Sequence, residues 1–396
     1  MTFEKIFDRF SRKTSTGKFI PQLDGLRFIA IAMVVLFHLN GYVASYSPVA
    51  FSTRPEQDGL SRLLVHGHYG VQFFFIISGF ILALPFASHH IHGTPGTNLS
   101  AYFTRRLTRL EPPYLLSLVI FCALMVLLKR EELRTLLPHL LAGFVYLHNV
   151  IYGAGNRLNA VAWSLEIEVQ FYLLVPLLTK VFAIRRPLQR RFVIIGLALA
   201  SIIFQRLFIH SSSGALALSI LSFLQFFLIG FLLVDFYLCE WRKAPHRHWG
   251  WDIVALIGVV SLPTIWSHVW SITFVFPVVA FLLYCAAFRG TFAYRALGNR
   301  WLVTIGGMCY TIYLLHYPFI NFAFGGTRSL GFTRNFDLNL ALQILIIVPA
   351  LMTISAIFFL FVERPCMAKD WPRRLRSRAR FAPKPQVQPQ PANVTD

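Results

Sequence analysis

Residues 26–45 read LRFIAIAMVVLFHLNGYVAS, with one formal charge, Arg27, at one end and a lone imidazole, His38, three turns further on. A helix crosses the hydrocarbon core of a bilayer with about 20 mostly apolar residues, so this stretch predicts a transmembrane helix. Outward from it the apolar pattern recurs near 70–87, 113–128, 161–184, 192–210, 215–238, 252–267, 271–288, 303–324 and 339–362, which predicts ten spans. The stretch 136–152, with Pro138, His139 and His148, is too polar to span and reads as an interfacial or re-entrant segment.

Composition agrees with this pattern. Of the 396 residues 56% are hydrophobic and only 14% charged, with a mean hydropathy of +0.58, whereas a soluble domain carries about a quarter charged residues. An ordinary soluble enzyme is excluded. The net charge of +20 does not point to nucleic acid, because Lys and Arg stand in short clusters between apolar runs, where cytosolic membrane loops carry them. With Lys180 and Arg206 assigned to the span ends they stand nearest, a cytosolic N-terminus leaves 27 Lys and Arg on the cytosolic side and nine opposite, Arg27 opening the first span. The fold class expected is therefore all-α, a polytopic membrane bundle of about ten transmembrane helices with both termini cytosolic. Its divisions are a cytosolic segment 1–25, a membrane-embedded domain 26–363, and a basic, then Pro/Gln-rich tail 364–396 expected to be disordered. The charged segment before a run of full spanning length reads as a retained signal-anchor. Arg373, Arg374, Arg376, Arg378 and Arg380 would approach anionic lipid. Cys122, Cys239, Cys285, Cys309 and Cys366 are scattered and odd in number, which predicts buried free thiols and no metal site.

Ionisable groups at membrane depth are costly and mark function. Those left at depth are His38, Glu166, Glu168 and His316, while Asp235 and Arg206 lie near enough to interfaces to reach water. At about 1.5 Å per residue, His38, Ser78, Glu168 and His316 would share one layer roughly 10–12 Å below the outer surface. Interhelical hydrogen bonding would account for Ser78 or His316 alone; His38 reads as a proton acceptor, because an imidazole titrates near neutrality. Glu166 and Glu168, two residues apart, point to nearly opposite helix faces, so one faces a site and the other a helix N-terminus or loop. Arg105 and Arg109, one turn apart with Arg106 between them, either grip phosphates or anchor the cytosolic end. Glu363 could pair with one of them. His89, His90 and His92 read as loop residues.

Several stretches together resemble the acyltransferase-three family of integral-membrane O-acyltransferases. Leu23-Asp24-Gly25-Leu26-Arg27 running to His38 is similar to its arginine, ten residues, histidine signature. Gly70-Val71-Gln72-Phe73-Phe74-Phe75-Ile76-Ile77-Ser78-Gly79-Phe80 follows, then the stretch from Arg105 to Pro113. Trp163-Ser164-Leu165-Glu166-Ile167-Glu168-Val169-Gln170-Phe171-Tyr172 is similar to its tryptophan-serine-leucine block. Tyr310-Thr311-Ile312-Tyr313-Leu314-Leu315-His316 and Glu363-Arg364-Pro365 complete the order. Gln72 and Val169 depart from the pattern, standing where acidic residues are frequent.

The resemblance implies an acyl-CoA donor, expected to be acetyl-CoA, approached from the cytosol, and a hydroxyl acceptor on a sugar or glycolipid presented on or from the other side. No bound cofactor and no nucleic acid are implied; the bilayer, the donor and the acceptor are the partners, and the bacterial cytoplasmic (inner) membrane is the expected location. His38, Glu168 and Arg27 would be catalytic, His38 as general base or as transient acyl carrier. Arg105, Arg106 and Arg109 would hold the CoA phosphates, and Ser78, Trp163, Tyr313 and His316 would line the acceptor site. Longer members of the family add an extracytoplasmic esterase-like domain, which is not expected within these 396 residues. The rival reading is a proton-coupled transporter, which would use buried His and Glu as relays and would show repeats or broken helices in corresponding halves. A silent membrane scaffold ranks below both.

Overall fold

A computed structural model describes residues 19–51, 59–209, 214–241, 246–368 and 371. Most of the expected N-terminal segment and nearly all of the basic tail lie outside the described residues. Among those described there is no strand, and the order of helices is α1 (Pro21–Tyr46), α2 (Gly59–His92), α3 (Leu99–Leu127), the short α4 (Leu133–Phe144) and α5 (His148–Tyr152), α6 (Ala160–Ala183), α7 (Pro187–Ile209) and α8 (Leu224–Trp241). Then come α9 (Gly250–Trp266), α10 (Ser271–Arg289), α11 (Phe292–Leu297), α12 (Arg300–Gly307), α13 (Cys309–Leu330) and α14 (Phe336–Cys366). Eight are long and apolar enough to cross a membrane; α12 and α13, bent by 67° at their junction, make a ninth if taken as one span. The ninth helix, α9, is apolar but only 17 residues long. The stretch 136–152 forms the short helices α4 and α5 rather than a span.

Two spans begin well before their apolar runs. The helix around 70–87 starts at Gly59, and in its polar turn His66 is sheltered by aromatic contact: Tyr69 stacks on Trp266 at 5.1 Å and His66 on the same ring at 5.4 Å. Its far end runs through His89, His90 and His92, which are the last turn of a helix and not loop, closed by Gly93 at φ 65°. The helix around 113–128 starts at Leu99, where Asn98 accepts a hydrogen bond from the Ala101 N–H at 3.0 Å and caps the end. The arginine stretch is therefore helix, continuous with the span.

Close backbone approach sets the register of the bundle. A Cβ at Gly67 would meet Phe37 Cβ at 2.8 Å, and one at Gly70 would meet Val34 Cγ2 at 2.9 Å, so α2 lies against the middle of α1. Where α2 crosses α8, Gly79 faces the Phe227 carbonyl and Gly230 faces Phe80 N, the small-residue contact by which membrane helices pack. Phe171 of α6 stacks on Phe227 at 3.9 Å beside this crossing.

One expectation about burial is overturned. Asp235 is fully buried rather than near water. It is ion-paired with buried Arg190 and, at 2.7 Å, with Arg191, while Arg190 also donates to the Ile184 carbonyl at 2.7 Å. The cause is the start of α7 at Pro187, ahead of the expected 192, which lays its basic first turns against α8. Cysteines 122, 285 and 366 are buried, 239 and 309 are partly exposed, and no disulfide joins any two of the five.

Candidate active site

The register just described divides the expected single polar layer in two. Because α2 starts at Gly59 and runs antiparallel to α1, with Gly70 against Ala30 and Val34, Ser78 lies toward the Arg27 end of α1. His38 stands eleven residues beyond Arg27, about 16 Å along the helix.

At the Arg27 end a cavity of about 120 Å³, partly open to the surroundings, is lined by Arg27, Ser78, Arg106, Arg109, Glu168 and Glu363, with Tyr313 among its remaining walls. Arg27 is ion-paired with buried Asp24 one turn before it. Ser78 donates to Glu168 Oε1 at 2.7 Å, so Glu168 is held by α2 and not by His38. Glu363 of α14 accepts from Thr311 N at 3.2 Å and from Thr311 Oγ1 at 2.5 Å. Arg109 turns a buried Nε inward without a hydrogen-bond partner among the described residues. Arg106 lies over the rings of Tyr102 and Tyr172 at 5.9 and 5.7 Å. Arg105, about 100° around the helix from Arg106, is exposed, and its Nε donates to the Ala101 carbonyl at 2.9 Å. The cavity thus receives the pair three residues apart, 106 and 109, and not the pair 105 and 109.

Toward the other end of α1, His316 of α13 is fully buried and its Nε2 is 3.2 Å from His38 Nδ1. His316 Nδ1 lies 2.8 Å from the Tyr313 carbonyl, and His38 Nδ1 lies 2.9 Å from the Val34 carbonyl. Carbonyl oxygens only accept, so both Nδ1 atoms carry protons. His316 Nε2 is then a lone pair facing the His38 Nδ1–H, and His38 Nε2 is left as a lone pair with no partner among the described residues. This is the arrangement of a base: a proton arriving at Nε2 would leave a cation whose opposite N–H already points at two acceptors. Around it stand Phe37 and Tyr317, at 4.9 and 5.0 Å between ring centres, and beyond them Asn321 donates to Tyr42 Oη at 2.8 Å and accepts from exposed Arg130 at 2.5 Å.

Neither histidine lines the cavity; Tyr313 stands between. Its ring walls the cavity and is 5.5 Å from the His316 ring. Its hydroxyl donates to the Val161 carbonyl at 3.0 Å and accepts from Ser164 at 2.6 Å. Trp163 lies outside the cavity lining: it packs on Phe223 at 5.4 Å, and its carbonyl accepts from Asn149 at 2.8 Å. The two glutamates separate as their spacing requires. Glu168 faces the cavity, and fully buried Glu166 accepts the backbone N–H groups of His148 and Asn149 at 3.1 and 2.8 Å, fixing the start of α5. Beside it, His139 and His148 are in contact through their ring nitrogens at 2.8 Å, and burial holds both below the usual histidine range. Sequence reasoning gave no role to Asp24, although its position three residues before Arg27 on a helix is the signal of an ion pair, nor to Ser164 and Tyr172, although both stand in the tryptophan-serine-leucine stretch.

A family model described as an acyltransferase domain matches residues 20–360. The O-acetyltransferase OatA of Staphylococcus aureus strain NCTC 8325 / PS 47 is 26% identical over 343 residues, covering 80% of this chain and 53% of that protein. A putative O-acetyltransferase of Staphylococcus aureus strain COL is 24% identical over 331 residues, covering 77% of this chain and 51% of that protein. The chain thus spans about half the length of these curated relatives. No solved structure matches it significantly.

Proposed function

The chain belongs to the acyltransferase-three family, and from that premise we propose that it moves an acetyl group from cytosolic acetyl-CoA to a hydroxyl of a cell-surface glycan or glycolipid precursor. The donor's phosphates engage Arg106 and Arg109, with Arg105 at the rim, and the pantetheine arm runs past Glu168 and Tyr313 toward His38. Guanidinium groups suit phosphate through paired, charge-assisted hydrogen bonds. His38 Nε2 takes the proton of the acceptor hydroxyl as its oxygen attacks the thioester carbonyl. The C–S bond then breaks, and the CoA thiolate leaves and recovers that proton from His38. Glu168 and Arg27 steady the donor arm. The names of the relatives support acetyl as the group moved.

The observation that carries this reading is the His38–His316 contact with His38 Nε2 left open. The test is His38→Gln, which keeps a hydrogen-bonding side chain but no basic nitrogen. We expect acetyl-CoA binding near wild type and acetyl transfer reduced by about a hundredfold or more, the contribution of a general base. Wild-type turnover by a folded His38→Gln protein, with chemistry rate-limiting, overturns the base assignment.

The topology belongs to the same proposal. Taking α12 with α13 as one span and α9 as another brings the eight to ten, which returns both termini to one side; the Lys and Arg asymmetry supports reading that side as the cytosol, and we read the membrane as a bacterial inner membrane. Reporters fused at residue 90 and after 385 should read cytosolic, and those at 55 and 331 extracytoplasmic. An extracytoplasmic C-terminus makes the span count odd and sinks the arrangement.

A further inference from the structure

The turn of α13 that carries His316 lacks one of its own hydrogen bonds. Pro318 lies inside the helix, and a proline has no N–H for the carbonyl four residues before it, while its ring presses against that carbonyl. The orphan is the Leu314 carbonyl, on a residue that is fully buried, so solvent does not reach it. A buried carbonyl without a donor is destabilising, and here the donor comes from 155 positions away: Asn159, itself 1% exposed, gives its Nδ2 to the Leu314 carbonyl at 2.9 Å. A carbonyl only accepts, so the nitrogen of the amide is the atom that faces it. Two other intrahelical prolines are answered alike. The Tyr172 carbonyl, freed by Pro176, accepts from the Tyr102 hydroxyl at 3.3 Å, and the Thr108 carbonyl, freed by Pro112, accepts from Trp371 Nε1 at 2.8 Å.

Asn159 differs from these in what its carbonyl supports. The same turn of α13 holds Tyr313, whose carbonyl accepts from His316 Nδ1, and His316 itself, whose Nε2 faces His38. Asn159 is tied to the head of α6, its own carbonyl accepting from the Ala162 N–H at 3.0 Å, and Val161 and Ser164 just beyond it hold the Tyr313 hydroxyl. The turn bearing His316 is thus clamped to the head of α6 at two points, one backbone and one phenol. The histidine contact is sensitive to that clamp. At 3.2 Å His316 is the farther of two acceptors open to the His38 Nδ1–H, with the Val34 carbonyl at 2.9 Å, so a shift of about half an ångström takes it out of hydrogen-bond range.

We propose that Asn159 is a positioning residue for the histidine pair, supplying the hydrogen bond that Pro318 denies to Leu314 and so fixing the turn that aims His316 Nε2 at His38. The inference rests on the transferase reading and adds to it a residue that lies outside the cavity lining.

The experiment takes the full chain with isotope-labelled histidine in phosphatidylcholine discs and reads the hydrogen bond between His38 and His316 by nitrogen magnetic resonance, the signal being assigned by its loss in His316→Gln. Asn159→Leu keeps the shape of the side chain without its donor, so the signal should be present in wild type and lost in this variant. Pro318→Ala restores a backbone N–H at position 318, which reaches the Leu314 carbonyl inside the helix. Asn159→Leu combined with Pro318→Ala should therefore regain the signal. Asn159→Ala takes the place of Asn159→Leu if the latter does not fold. In turnover, Asn159→Leu should lower kcat by about tenfold, the magnitude of one well-placed hydrogen bond, with KM for acetyl-CoA kept, and should cause no further loss in a His316→Gln background. A signal absent from wild type, or kept in a folded Asn159→Leu protein, overturns the proposal. So do losses that multiply in the double variant, which would mark a contact of the fold alone, and a signal that Pro318→Ala does not bring back. The resonance needs no turnover, so a signal that follows Asn159 in a protein without acetyl transfer keeps the positioning role and defeats the transferase reading. Normal acetyl transfer with a signal indifferent to Asn159 does the reverse.

Discussion

Around Arg27 the polar groups are carboxyls and guanidiniums: Asp24, Glu168 and Glu363 against Arg27, Arg106 and Arg109. Around His38, about 16 Å along the same helix, they are imidazoles, phenols and an amide: His316, Tyr317, Tyr42 and Asn321. A guanidinium holds an anion but has no lone pair and does not release its proton in a protein. An imidazole exchanges a proton near neutral pH but anchors a phosphate poorly. On the proposed reading one helix carries a holding end and a proton-handling end, and damage to each should show in a different kinetic constant.

Replacing Arg109 by Ala should have the largest effect at the holding end. Loss of a charge-assisted contact costs about 1.5–3 kcal/mol, which should raise KM for acetyl-CoA by about tenfold to a hundredfold with kcat nearly kept. Arg105→Ala should change KM by less than about threefold, as expected of an exposed cation. Equal effects at 105 and 109 would break the distinction between the rim and the cavity.

At the proton-handling end, His316→Gln should lower kcat by about tenfold, the magnitude of one well-placed hydrogen bond, and leave KM unchanged. Its mark as a positioning residue is non-additivity: His38→Gln combined with His316→Gln should be no slower than His38→Gln alone. Additive losses would make His316 an independent structural contact.

The smallest effect concerns the second histidine pair. His139 and His148 lie in the short helices outside the spans, and burial lowers both from their usual value. A group with a lowered folded pKa supports the fold above its unfolded value, about 6.5, and that support is lost as pH falls through 6.5 toward the folded pKa. The protection of amides in 136–152, taken relative to their intrinsic exchange rate at each pH, should therefore fall as pH drops below about 6.5, while protection in α1 is kept. Protection that is flat with pH in both segments would remove the titrating pair from the account of this region.

Much of this was legible in the chain, and two of the errors share one cause. Apolar runs mark where helices are, because lipid admits little else. They do not mark where helices begin, because a polar turn can be sheltered by partners distant in sequence, as His66 is by Trp266. The misjudged start of α2 put Ser78 level with His38, and the site then looked like one layer. Asp235 failed for the same reason, its burial depending on where α7 starts. Arg27 and His38 were legible because one helix carries both, and Glu166 and Glu168 because two residues of spacing set opposite faces. The contact between His38 and His316 joins residues 278 positions apart, and no local pattern reports it.

The glycines at 67 and 70 leave α1 no room to slide along α2. On the proposed transfer, the stretch from Arg27 to His38, about 16 Å along one helix, would act as a ruler held in place against α2 and would measure the donor. A thioester on a truncated arm, anchored by its phosphates at one end, falls short of the imidazole at the other. A thioester with no nucleotide reaches the imidazole but has nothing to hold it there. On that proposal, selection for CoA over simpler thioesters would come from the span of the molecule, with no contact to its acetyl group required.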